Sequence, residues 1–161
     1  MRKRLASRAA GRAADPAACG GYWSGAHTTH RLRLHLVWVP KYRRRVLDEP
    51  VAARLSELLR RACEVRAWGL VELNVQPDHV HLLLQVTPCD SVAGVMQSLK
   101  GGTARALRLE FPHLEEFLWG ESFWADGYFA ETVGQQQEAV VREYIRHQRA
   151  SGRRPKYKRR G

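Results

Sequence analysis

The sequence predicts an α+β fold: a ferredoxin-like split βαβ domain, with a four-stranded antiparallel sheet and helices on one face, plus a C-terminal helix. Three observations predict it. Apolar residues recur at two-residue steps in some segments and at three- to four-residue steps in others. Taken in order, these segments read β-α-β-β-α-β-α, and the first six are the split βαβ arrangement. The second and third strands are joined by a connection so short that they form an antiparallel hairpin. In this topology the third strand also pairs with the first and sits in the middle of the sheet.

Each element has its own signature. Arg31 to Val39 alternates polar and apolar before closing on an apolar run, as a strand with one face on the core does, and Pro40 stops it. Glu49 to Trp68 is an amphipathic helix, with Val51, Leu55, Leu58, Leu59, Ala62 and Val65 on one face and Gly69 as its stop. Leu70 to Val75 is the next strand, and Pro77-Asp78 turns the chain into His79-Val80-His81-Leu82-Leu83-Leu84-Gln85-Val86. Asp90 is placed to cap a second helix carrying Val92, Val95, Met96 and Leu99 inward. Lys100-Gly101-Gly102-Thr103-Ala104-Arg105 interrupts that helix: two interior glycines cost about 1 kcal/mol each relative to alanine. The glycines mark either a break between two short helices or a place where a phosphate nears the backbone between Lys100 and Arg105. Residues 112–126 read as irregular and aromatic, Gly127 to Gly134 as a strand, and Gln135 to Arg149 as the last helix, with Val140, Val141, Tyr144 and Ile145 as its apolar set.

Composition bounds the function. A chain of 161 residues with 44% hydrophobic content suits one domain with a real core. Its net charge of +11 and pI near 10.3 predict a polyanionic partner, nucleic acid ahead of a membrane surface. Cys19, Cys63 and Cys89 form no C-x-x-C pair, so neither a zinc ribbon nor a disulfide framework is indicated, and a reducing cytoplasm fits. No run approaches the ~18 apolar residues of a membrane span. Residues 1–29, Ala-, Arg- and Gly-rich with Asp15 as their one acid, read as a disordered basic arm, with a transit peptide or an over-extended start as alternatives. The domain is expected over 30–150, and 151–161 reads as a basic tail.

The chemistry is expected on the hairpin's second strand. Residues two apart on a strand share a face, so His79 and His81 project side by side as two ligands for one metal ion, and a third is needed. In the last helix, Tyr144 and Gln148 stand four apart on one face; the Gln148 amide oxygen is a competent hard ligand, His147 is a rival, and the Tyr144 phenol is a potential nucleophile. Lys41-Tyr42-Arg43-Arg44-Arg45, leaving the first strand, joins cations to an aromatic as phosphate contact with base stacking requires.

Leu36-Val37-Trp38-Val39-Pro40-Lys41-Tyr42-Arg43-Arg44, Pro77-Asp78-His79-Val80-His81-Leu82-Leu83, Lys100-Gly101, Gly127-Tyr128-Phe129 with Thr132-Val133-Gly134, and Tyr144-Ile145-x-x-Gln148 fall in one order. In this the chain resembles the single-tyrosine HUH transposases, the small TnpA-type enzymes of insertion sequences that move as single-stranded DNA. The resemblance covers about residues 30–150. It implies a metal site of His79, His81 and Gln148, Tyr144 as the nucleophile, and Mg2+ or Mn2+ as the ion, although two imidazoles alone leave zinc and nickel open. It also implies a homodimer, a single-stranded substrate held through a DNA hairpin, and a 5′-phosphotyrosine intermediate. Two alternatives remain: a domesticated relative that cleaves chromosomal repeat hairpins, and a non-catalytic nucleic-acid-binding module. Against the module, the histidine strand carries no aromatic for base stacking.

Overall fold

A computed structural model describes residues 21–118 and 120–148. The arm's first 20 residues and the expected tail lie outside the described residues. The elements are β1 (Trp23–Ser24), β2 (Thr29–His30), β3 (Leu32–Trp38), α1 (Glu49–Arg66), β4 (Gly69–Gln76), β5 (His79–Val86), α2 (Val92–Glu110), α3 (Glu115–Leu118), β6 (Phe129–Thr132) and α4 (Glu138–Arg146). The main sheet runs β4-β5-β3-β6, antiparallel throughout, so the histidine strand is interior as expected.

Alternation along the central strands gives the sheet two different faces. Leu34, Leu36 and Trp38 of β3 and Val80, Leu82, Leu84 and Val86 of β5 point one way, into a core closed by α1 and α2. Truncating one such leucine to alanine costs about 2–5 kcal/mol through lost transfer energy and the cavity left behind. The other face carries Arg33 and His35 of β3 and His79, His81, Leu83 and Gln85 of β5. These residues are buried too, because α4 lies across β4 and β5 on that side, seating Ile145 against Leu83 and Val133.

Several sequence expectations are corrected. α2 runs unbroken through Gly101 and Gly102, because Leu99, Thr103 and Leu107 on its inner face are fully held by the core and outweigh the glycine penalty. A Cβ at either glycine would meet nothing within 4 Å. Ser91, not Asp90, caps α2, accepting from the Gly94 amide at 3.0 Å, while Asp90 accepts from the Thr87 amide and hydroxyl. α1 ends at Arg66 because Ala67, not Gly69, takes the left-handed turn (φ 55°); Val65 is 75% exposed rather than inward. Residues 112–126 contain a 3₁₀ turn at Pro112–Leu114 followed by α3. The last helix is shorter than its periodicity suggested, 138–146, leaving Gln148 beyond its end. The end of the arm is folded: β1 pairs with β2, Trp23 is buried, and the Gly21 carbonyl accepts from the Gln85 amide.

Candidate active site

The site lies on the sheet face opposite α1 and α2. His79 and His81 are both buried, with ring centroids 5.0 Å apart. The turn that opens β5 supplies Asp78, whose Oδ1 is 2.6 Å from His79 Nδ1, and Arg43 Nε donates to Asp78 Oδ2 at 3.1 Å. Burial opposes ionisation of Asp78, yet His79 and Arg43 outweigh it and hold the carboxyl below its usual pKa. With Asp78 accepting the His79 Nδ1–H, the His79 Nε2 keeps its lone pair for a metal. Burial, then the neighbouring His79 and His35, push His81 down to about 3, so it is a neutral imidazole at physiological pH.

α4 brings Tyr144 over these rings. Its ring centroid is 5.7 Å from that of His81 and 6.3 Å from that of His35, and the side chain is 51% exposed. It opens onto a cleft of about 770 Å³, with His35, His81 and Glu131 among its walls and Val37, Tyr128 and Phe129 giving it an apolar side. α4 is held down at both ends. Glu138 in its first turn pairs with Arg31 and Arg33, and Glu72 of β4 accepts from Arg146 at 2.9 Å. Asn74 donates to the Ile145 carbonyl at 2.6 Å and to the Gln148 carbonyl at 3.3 Å. Asn74 is also the residue that pairs with His81 across the β4–β5 ladder. The backbone of Gln148 is therefore tethered beside the histidine strand although the helix has ended. His147 instead turns back on Glu143 and is exposed, which takes it away from the histidine pair.

Among the described residues no third His, Cys, Asp or Glu completes a cluster that could hold a metal ion. Further oxygen donors would have to come from an amide, water or a substrate phosphate. The His79 Nε2 lone pair, the neutral His81 ring and the tethered Gln148 fit such a mixed nitrogen–oxygen set.

Residues 28–148 match the family model described as "Transposase IS200 like". The chain belongs to this family. The chain is 36% identical over 124 residues to the ISDra2 transposase TnpA of Deinococcus radiodurans, covering 77% of this chain and 89% of that one. It is 34% identical over 123 residues to the transposase of insertion sequence element IS200 from Salmonella typhimurium, covering 76% and 80%. A crystal structure of a Deinococcus radiodurans protein assigned as a transposase superposes with a TM-score of 0.66 at 37% identity, covering 80% of this chain and 99% of that chain. A REP-associated tyrosine transposase bound to a REP hairpin shares the fold at 12% identity, with a TM-score of 0.56 over 76% and 70% of the two chains.

The cations of this IS200-like transposase are distributed unevenly about the site. Lys41 lies 3.8 Å from Asp126, and Tyr42, 65% exposed, has Lys41 and Arg44 against its ring. Tyr42 and Arg43 both adopt left-handed backbone (φ 56° and 52°), uncommon for residues with a Cβ, and the turn sends Arg43 back to Asp78. Arg45 is exposed. Lys100 is not presented to solvent phosphate: its ammonium donates to the Ala125 and Asp126 carbonyls at 2.6 and 3.2 Å, clipping the segment that leads into β6. Burial lowers its pKa, against the pull of Asp126. Arg105 is exposed on α2, the helix that covers the opposite sheet face. Sequence reasoning missed His35, Asn74, Asp78 and Glu131. The alternation of β3 puts His35 on the same face as Arg33, which was the available signal.

Proposed function

We propose that this transposase cuts and rejoins single-stranded DNA at insertion-sequence ends through a 5′-phosphotyrosine link to Tyr144. The observation that carries the reading is the position of Tyr144, half-exposed at a cleft and 5.7 Å between ring centroids from buried, neutral His81. His79, His81 and Gln148 would hold Mg2+ or Mn2+, which when bound would offset the charge of the scissile phosphate. The phenol oxygen of Tyr144 forms a bond to phosphorus as the bond from phosphorus to the 3′-oxygen breaks. The phenolic proton leaves, the 3′-oxygen takes up a proton, and the 5′ side stays on the protein. Reversal by a 3′-hydroxyl rejoins strands without a nucleotide cofactor, because the phosphodiester energy is kept in the tyrosyl ester.

The apolar side of the cleft suits an unstacked base beside the cut, which favours single strands over duplex. Lys41, Tyr42, Arg43, Arg44 and Arg45 would hold the strand where β3 ends, with Arg43 also steadying Asp78. A DNA hairpin as the recognised end is supported by the REP-hairpin-bound relative. A homodimer is supported by the one nucleophilic tyrosine proposed per chain, since two cut ends need two nucleophiles, and by the exposed Val140 and Tyr144 of α4. Action in the cytoplasm agrees with the chain's thiols and with the absence, among the described residues, of a helix long and apolar enough to cross a membrane.

The test is incubation with labelled single-stranded candidate ends and Mn2+, followed by denaturing electrophoresis. Wild type should form a covalent adduct with the fragment 3′ of the cut. Tyr144→Phe should form none while still retarding the DNA. Adduct formation by the Phe variant would remove Tyr144 from its role.

A further inference from the structure

His35 lies outside every motif of the proposed metal site, yet it is buried and makes two directed contacts. Its Nε2 is 3.1 Å from His81 Nδ1, and its Nδ1 is 3.1 Å from Glu131 Oε1. The His35 and His81 rings are nearly coplanar, 18° apart with centroids at 5.4 Å, so they meet edge to edge through their nitrogens and not face to face. The sheet dictates this arrangement. Glu131 is the direct partner of His35 across β3–β6, and His81, opposite Val37, is its diagonal neighbour on β5.

We propose that His35 and Glu131 are positioning residues that set the tautomer and ring orientation of His81, so that its Nε2 presents a lone pair to the metal. This rests on the metal site proposed above. A carboxylate can only accept, so His35 must carry its proton on Nδ1 to meet Glu131. In the neutral ring His35 Nε2 is then an acceptor, and His81 donates to it from its own Nδ1. The proton on His81 is thereby kept off Nε2. Asp78 does the same for His79 in one step, so both ligands reach the same tautomer by different routes. The His81 route is longer because the position directly opposite His81 on the neighbouring strand β4 is Asn74, which is engaged with the carbonyls of Ile145 and Gln148, so the carboxylate comes from β6 by way of His35.

Two measurements on the full chain test it. Long-range 1H–15N correlation spectra of the metal-free protein report which nitrogen of His81 carries the proton. Wild type should show Nδ1–H, and His35→Leu should show Nε2–H or a mixture. A wild-type His81 protonated on Nε2 overturns the proposal whether or not metal binds. The second measurement is Mn2+ affinity by electron paramagnetic resonance of the unbound ion. His35→Leu should weaken binding by about 10- to 100-fold. Glu131→Gln, at a half-exposed side chain, tests the relay without emptying a buried site. Its amide can donate to His35 Nδ1 and reverse the relay, so it should also weaken binding. His35→Gln, which returns an acceptor near the lost Nε2, should recover part of the affinity, as a merely space-filling role would not. Unchanged affinity in both His35→Leu and Glu131→Gln overturns the relay, whereas no Mn2+ bound by wild type overturns the metal site and the purpose of the relay with it.

Discussion

At the scale of single residues, burial decides what each histidine and lysine does. His81 is buried and faces His79 and His35, with Glu131 beyond, and its pKa falls from 6.5 to about 3. Between those values the unfolded chain binds a proton that the folded chain refuses, so stability falls as pH drops through this window. The slope is about 1.4 kcal/mol per pH unit for one such group. Urea unfolding of the metal-free protein at pH 7, 6 and 5 should show this decline, and His81→Asn should flatten it; equal slopes would mean that His81 is protonated in the fold. Lys100 makes the complementary point. A lysine beside two glycines offers itself as a phosphate contact, but its ammonium is already surrounded by backbone carbonyls.

At the scale of elements, tertiary contacts extend one helix and shorten another. α2 continues through Gly101 and Gly102 since its inner residues are locked into the core, while its outer side there is open space. Replacing both glycines by alanine should therefore raise stability by about 1–2 kcal/mol, read as a higher midpoint in urea, with adduct yield unchanged. A stabilised variant that no longer retards DNA would instead return these glycines to phosphate binding. α4 ends at Arg146, and Asn74 donates to the carbonyls of Ile145 in its last turn and of Gln148 beyond it. The i, i+4 relation of Tyr144 and Gln148 thus survives in sequence but not as two side chains stacked on one helix.

At the scale of the whole molecule, one sheet serves two purposes. The α1/α2 face holds nearly all of the large buried side chains, whereas the site face has a small apolar cluster of Leu83, Val133 and Ile145, supplemented by ion pairs. Glu138 is the carboxylate that Arg31 and Arg33 share, and burial, then the neighbouring Arg31 and Arg142, lowers the pKa of Arg33 to about 10. Removing that carboxylate should release α4 without unfolding the domain. In Glu138→Ala, amides of residues 138–146 should lose hydrogen-exchange protection while those of β5 keep theirs. Loss of protection in both would mean that the two faces fold as a single unit.

The small β1–β2 pair and α3 were not legible in the sequence, whereas the seven main elements in their order, the interior position of the histidine strand, and the pairing of His79 with His81 were. These follow from periodicity and from short connections, which are local properties. The motifs also carried the family resemblance. Tertiary structure decided the rest. Whether Arg33 and His35 were solvent-facing or buried depended on where α4 lay, and nothing local to β3 encodes that. Asn74, Glu131 and His35 join the site only because strand register, across three ladders, sets Asn74 and His35 beside His81 and Glu131 beside His35. Arg43 gained Asp78 as a partner because a left-handed turn carried it there. Hydrophobic period is written residue by residue along the chain, whereas the partners of a buried polar group are fixed by register and packing between distant segments.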